Sequence, residues 1–180
     1  NVEKSRAQNL VVFNGLQTDN HTQTTDNTPF AQELAKNKKV SDLIHFDERG
    51  LAFAALGYAK AHKKPTALII TSGSSLANIF QAVVEAYQEK IPLLLLTADR
   101  PYDLRDNGSN QTIDQVKFFH NYVSWHQDIP LIDNSVPLRF LCSTANYACH
   151  KALLGPVHLN CQFREPFLTE INLKGEEKEF

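Results

Sequence analysis

The chain has 180 residues, enough for one well-buried domain and only just enough for two. Hydrophobic residues at 42% and charged residues at 21% are ordinary for a soluble globular protein, and a net charge of -2 leaves no basic face for nucleic acid. No apolar run approaches the roughly 20 residues that cross a bilayer and no secretory signal is present, so the sequence predicts a cytoplasmic protein without membrane insertion.

Cys142, Cys149 and Cys161 are odd in number and lack CxxC spacing, and so read as reduced core cysteines of an intracellular protein rather than as a disulfide or zinc framework. Methionine is absent, position 1 included, so short motifs are a firmer guide here than long spacings.

Residues 1–27 form an N-terminal segment and polar loop. Ala7, Leu10, Val11 and Phe13 suit a helix, and residues 9–13 also suit a strand ending at Gly15; the helix is preferred. Residues 17–28 are polar without period and read as a mobile loop, within which Asn20-His21-Thr22 fits a glycosylation pattern that matters only in a secreted protein. Asn27 or Thr28 then caps a helix with Pro29 at its first position and an apolar stripe of Phe30, Leu34 and Ala35.

Leu43, Ile44 and Phe46 read as a short buried strand, followed by a helix over 48–62 that carries Leu51, Ala55, Leu56 and Ala59 at helical spacing. Residues 66–71 are a continuous apolar run of strand length, as in a sheet covered on both faces. After Ser72-Gly73-Ser74-Ser75, a helix repeats Leu76, Ile79, Phe80, Val83, Val84 and Tyr87. A second central strand over 92–97 leads into a polar loop over 98–112. The pattern further predicts a short helix near 114–119, a strand near 122–125, a helix over 136–153 and a last strand over 156–161. Residues 169–180 read as a charged tail or linker. Strands alternating with helices of this length predict an α/β fold, a doubly wound, mostly parallel sheet of about six strands with helices on both faces.

Three loops follow three apolar strands and so share one edge of a parallel sheet, where ligands bind: Asp47-Glu48-Arg49, the 71–75 turn, and the segment from Thr97 to Gln111. Glu48 stands at a strand-to-helix switch, although an acid in a first helical turn is more often a partner of the helix dipole. The 71–75 turn has the small residues of an anion cradle without a Walker or GxGxxG pattern, and a tight strand-helix turn is its simpler reading. Arg100 can clamp a carboxylate or pair with Asp99, Asp103 or Asp106, and Asn110 and Gln111 are uncharged reading groups in a loop with few apolar anchors. The seven histidines show no metal-ligand spacing, and His45 alone lies near Glu48. No Gly-x-Ser-x-Gly elbow is present.

Taken together, residues 45–50 (His-Phe-Asp-Glu-Arg-Gly), Thr71-Ser72-Gly73, residues 94–101 ending Thr-Ala-Asp-Arg-Pro, residues 108–115 (Gly-Ser-Asn-Gln-Thr-Ile-Asp-Gln) and residues 155–161 resemble the N-terminal pyrimidine-binding domain of a thiamine-diphosphate enzyme. They are most similar to the SEPHCHC synthase family of menaquinone and phylloquinone biosynthesis, over about 28–168. In that family the glutamate matching Glu48 holds N1' of the aminopyrimidine, and sharing its proton there favours the tautomer that takes the C2 proton. By the same resemblance Arg100, Asn110 and Gln111 face substrate, and Ser72, Gly73 and Asn78 line the pyrimidine pocket with Glu48.

The resemblance implies a transferase that decarboxylates 2-oxoglutarate and adds the succinyl unit to isochorismate. It also implies a homo-oligomer, a dimer or dimer of dimers, with the site at its interface. Both substrates carry carboxylates, which calls for arginine and amide side chains. The sequence departs from the family twice. An ungapped count back from Thr28-Pro29 puts Asp26 where the family has a substrate-binding arginine, and an acid there would repel a carboxylate. The Gly-Asp-Gly to Asn motif for Mg²⁺ (or Mn²⁺) and diphosphate is also absent, which assigns metal binding to a domain not in this chain. A catalytically inactive pseudoenzyme or assembly domain of the same fold is the alternative, and an unrelated nucleotide-binding α/β domain has only the 72–75 turn in its favour.

Overall fold

Apolar runs of five to seven residues, each followed by a helix, can bury both faces only as the inner strands of a layered sheet. The structure, a computed structural model, describes residues 11–15 and 27–167. Its elements are β1 (Val11–Gly15), α1 (Thr28–Lys36), β2 (Ser41–His45), α2 (Glu48–His62), β3 (Thr66–Ile70), α3 (Ser75–Glu89), β4 (Leu93–Asp99), β5 (Trp125–Ile129), α4 (Leu138–Ala152) and β6 (Val157–Gln162). The six strands form one parallel sheet in the order β2-β1-β3-β4-β6-β5. From β1 the chain winds outward to β2 and then returns to β3 on the other side, so the direction of winding reverses between β1 and β3. The crevice outside the carboxyl ends of these strands is the ligand position of such sheets.

Strand alternation divides the core in two. Leu68, Ile70, Leu93 and Leu95 pack with Leu51, Ala55, Leu76, Ile79 and Val83 of α2 and α3. Ala67, Ile69, Leu94, Val157 and Leu159 pack with Ala148 and Ala152 of α4, with Phe30 and Leu34 of α1 against them. Each leucine-sized side chain so buried contributes about 1.5–3 kcal/mol.

Five expectations are corrected. Residues 11–15, assigned to a helix, form the strand between β2 and β3; pairing on both sides decides a segment whose local pattern fits either state. The strand expected near Leu43 exists but is not buried: Leu43, Ile44 and Phe46 are 44%, 51% and 72% exposed, because among the described residues β2 is an edge strand paired only with β1. Residues 114–119 make turns, leading to a 3₁₀ turn at His120–Tyr122, because Lys117 and His120 take left-handed backbone angles that no α-helix continues. The strand expected near 122–125 begins at Trp125, where it comes into register with Val157. Of the three cysteines, expected in the core, only Cys161 is buried; Cys142 and Cys149 are exposed on α4. Among the described residues no helix is long and apolar enough to cross a membrane.

Candidate functional site

The turn into α2 is locked from both sides. The Asp47 carboxylate accepts from the Gly50 amide at 2.9 Å as the helix cap, and the Asp47 amide donates to His45 Nδ1 at 3.0 Å. His45 thus serves the turn. Glu48, next in line, is half-buried, and both of its carboxylate oxygens are held: Ser75 Oγ donates to Oε1 at 3.0 Å and Asn78 Nδ2 to Oε2 at 3.3 Å. Ser75 and Asn78 lie three apart on α3 and so share a face. A Cβ on Gly15, the last residue of β1, would lie 3.6 Å from Glu48 Cγ. The carboxylate therefore stands at the winding reversal between β1 and β3. Asn27, expected as a cap, makes no side-chain capping bond; its buried Nδ2 donates to the Gly15 carbonyl at 2.8 Å and ties down the end of β1.

The 71–75 turn is occupied from within. Gly73 has φ +78°, and its amide, a candidate for an anion cradle, donates to Gln115 Oε1 at 2.8 Å. Gln111 lies against the same turn, donating from Nε2 to the Ser72 carbonyl at 3.0 Å. Ser72 and Gly73 are buried beneath it.

Arg100 and Asn110 come together elsewhere, in an open pocket of about 250 Å³ that they line with Leu104, Ser109, Phe163 and Arg164. Within it Arg100 faces Glu165 at 3.7 Å rather than Asp99, Asp103 or Asp106, and Arg164 pairs with Asp103. The residues singled out from the sequence thus form three neighbourhoods: Glu48 with Asn78; Ser72, Gly73 and Gln111; Arg100 with Asn110. The stretch around Asp26 lies outside the described residues.

Residues 22–118, which carry Glu48, the 71–75 turn and the loop to Gln111, match the family "Thiamine pyrophosphate enzyme, N-terminal TPP binding domain". The chain belongs to this family. It is 45% identical over 159 residues to the 2-succinyl-5-enolpyruvyl-6-hydroxy-3-cyclohexene-1-carboxylate synthase of Salinibacter ruber, covering 87% of this chain and 27% of the relative. It is 47% identical over 146 residues to the enzyme of that name from Roseiflexus sp., covering 78% and 25%. The chain therefore spans about a quarter of the length of these curated relatives. Among solved structures, benzoylformate decarboxylase from Polynucleobacter necessarius superposes with a TM-score of 0.68 at 18% identity, over 88% of this chain and 28% of that one, and shares the fold.

In this TPP-binding domain the most connected polar groups are ones the sequence reading had not assigned. Asn160 Nδ2 donates to Asp99 Oδ2 at 2.7 Å and to Asp128 Oδ1 at 2.8 Å, while its Oδ1 accepts from Thr97 Oγ1 at 2.9 Å and Gln115 Nε2 at 2.9 Å. Thr97 spends its one proton on Asn160, so the 2.8 Å contact to His158 is a bond donated by His158 Nε2. Arg105 pairs with Asp99 at 2.7 Å and forks onto Asp128.

Burial pushes the Asp99 carboxyl above its ordinary range, against the opposing pull of Asn160 and Arg105. Burial likewise lowers His158 to about 3, and pushes the Cys161 thiol up to about 12. A signal for this network was present: Thr97 and Asp99 in β4, and His158, Asn160 and Gln162 in β6, are polar residues in almost wholly buried strands, and polar groups there must be paired.

Proposed function

We propose that this chain is the pyrimidine-binding domain of a 2-succinyl-5-enolpyruvyl-6-hydroxy-3-cyclohexene-1-carboxylate synthase, a transferase acting on 2-oxoglutarate and isochorismate with thiamine diphosphate. The observation that carries the reading is Glu48, held through both oxygens by Ser75 and Asn78 at the reversal between β1 and β3, in a chain 45% identical to proteins of that name.

The residues present fit the ring end of the cofactor. Gly15 bounds Glu48 from the end of β1, where a Cβ would come only into ordinary contact with Glu48 Cγ at 3.6 Å and Leu51 Cδ2 at 3.4 Å, and Ser75 and Asn78 supply neutral polar groups beside the carboxylate. Mg²⁺ or Mn²⁺ and the diphosphate are assigned to another domain, since the chain spans about a quarter of the length of the curated relatives. When bound, the cofactor supplies a carbon nucleophile for a 2-oxo acid and takes up the electron pair left by departing carbon dioxide.

Glu48 holds a proton at N1' of the ring, and Ser75 and Asn78 fix the orientation of its carboxyl group. Arg100 and Asn110 receive a substrate carboxylate. Glu165, whose side chain is 65% exposed and stands 3.7 Å from Arg100, turns out into solvent to make room for it. Gln111 reads the substrate beside Ser72.

Phe46, two residues before Glu48, and Leu43, Ile44 and Phe53 are exposed apolar side chains on and around the edge strand β2, residues of the kind a partner covers, which supports a site completed in a homo-oligomer. The protein is assigned to the cytoplasm. The complete gene product, supplied with thiamine diphosphate and Mg²⁺, is expected to release carbon dioxide from 2-oxoglutarate and to consume isochorismate. Binding of the cofactor without turnover of either substrate would favour a catalytically inactive domain of the same fold.

A further inference from the structure

Arg105 lies in the loop that carries Arg100, Asn110 and Gln111, yet it is not among the residues lining the Arg100 pocket. Its guanidinium is four-fifths buried and each of its nitrogens is used. Nε donates to the Arg100 carbonyl at 3.2 Å, NH1 and NH2 fork onto the two oxygens of Asp128 at 3.2 Å each, and NH2 also pairs with the fully buried Asp99 at 2.7 Å. Asp99 ends β4 and Asp128 belongs to β5, so the side chain spans two strands that are separated by β6. β6 supplies the cross-links: Asn160 bonds both acids, and Gln162 donates to Asp128 while accepting from the Tyr102 amide.

The loop needs such an anchor. Asp106 and Gln111 are non-glycine residues with positive φ, and conformations of this kind persist only where the surroundings over-determine them. We propose that Arg105 is a positioning residue: its fork on Asp128 and Asp99 fixes the Arg100 backbone, and through it the substrate-facing pair Arg100 and Asn110. This deepens, and rests on, the assignment of those two residues to substrate carboxylates. A residue that only neutralised Asp99 and Asp128 could be replaced by lysine. A planar fork with five donors could not.

The test uses the complete gene product and the variants Arg105→Lys and Asp128→Asn, the second of which keeps the Asp99 pair should the first not fold. In either variant, amide hydrogen exchange over residues 102–111 is expected to quicken about tenfold while β3 and α3 keep wild-type protection. The KM for the carboxylate substrates is expected to rise about tenfold, with kcat within about twofold. Wild-type exchange and wild-type KM in a folded Arg105→Lys protein would overturn the proposal and reduce Arg105 to a counter-charge. If the wild type turns over neither 2-oxoglutarate nor isochorismate, the substrate reading fails, and the exchange measurement still decides whether Arg105 anchors the loop.

Discussion

Gln115 Oε1 accepts a hydrogen bond from the Gly73 amide at 2.8 Å, across 42 residues of sequence. Gln115 Nε2 meanwhile donates to the Ala98 carbonyl and to Asn160 Oδ1, so one buried carboxamide joins the ends of β3, β4 and β6. The turn after β3 is thereby fixed by a side chain that itself belongs to the polar network under the Arg105 loop.

Gly73 is accordingly intolerant of a side chain. Its φ of +78° costs an alanine about 1–2 kcal/mol. A Cβ would also stand 2.8 Å from Gln111 Cγ and 3.0 Å from the Gln111 carbonyl oxygen. Gly73→Ala is expected to lower the urea midpoint and to displace Gln111, seen as changed chemical shifts for the Gln111 side-chain amide. An unchanged midpoint would contradict the turn geometry.

Asn160→Leu should be among the most damaging single substitutions. It leaves Asp99 without its carboxamide donor and removes the acceptor of Thr97 and Gln115, all three of them buried. Losing one partner of a buried polar network costs about 3–5 kcal/mol where a charge is involved. Denaturant unfolding measures this directly; a loss under about 1 kcal/mol would show that the network relaxes or fills with water.

Much of the fold was legible because it rests on local pattern. The runs that became β3, β4 and β6, and the periodic faces of α2, α3 and α4, declare themselves in apolar spacing. What was not legible depends on pairing across the chain. β1 is a strand because β2 and β3 flank it, and β2 is exposed because nothing described lies beyond it. The site divides the same way. Glu48 and the small-residue turn stand at strand ends that parallel topology brings together. The bonds of Gln115 to Gly73, Ala98 and Asn160, and the fork of Arg105 onto Asp128, run over 17 to 45 residues, which no window reveals.

His158 gives the stability a pH dependence of definite sign. Burial lowers its pKa from 6.5 to about 3, with His126 acting in the same direction and Asp128 against it. Between these values the unfolded chain binds a proton that the native protein does not, so this residue's contribution is present above about pH 6.5 and is lost as pH falls, by about 1.4 kcal/mol per pH unit. Asp99, raised by burial, favours the native state toward acid and partly offsets the loss at the lower end. Urea unfolding between pH 7.5 and 4.5 should show the decline in wild type and a shallower one in His158→Gln. Equal slopes would mean that His158 is not held neutral.

Glu48, oriented by Ser75 and Asn78, is proposed as the acid that activates a bound thiamine cofactor. The most direct test of this role is calorimetric titration of thiamine diphosphate with Mg²⁺ into the complete gene product, wild type against Glu48→Gln, with carbon dioxide release from 2-oxoglutarate followed on the same samples. Glu48→Gln is expected to bind within about tenfold of wild type and to lose at least about a hundredfold in decarboxylation, the range for a proton-transfer group. Wild-type decarboxylation by Glu48→Gln would contradict this role.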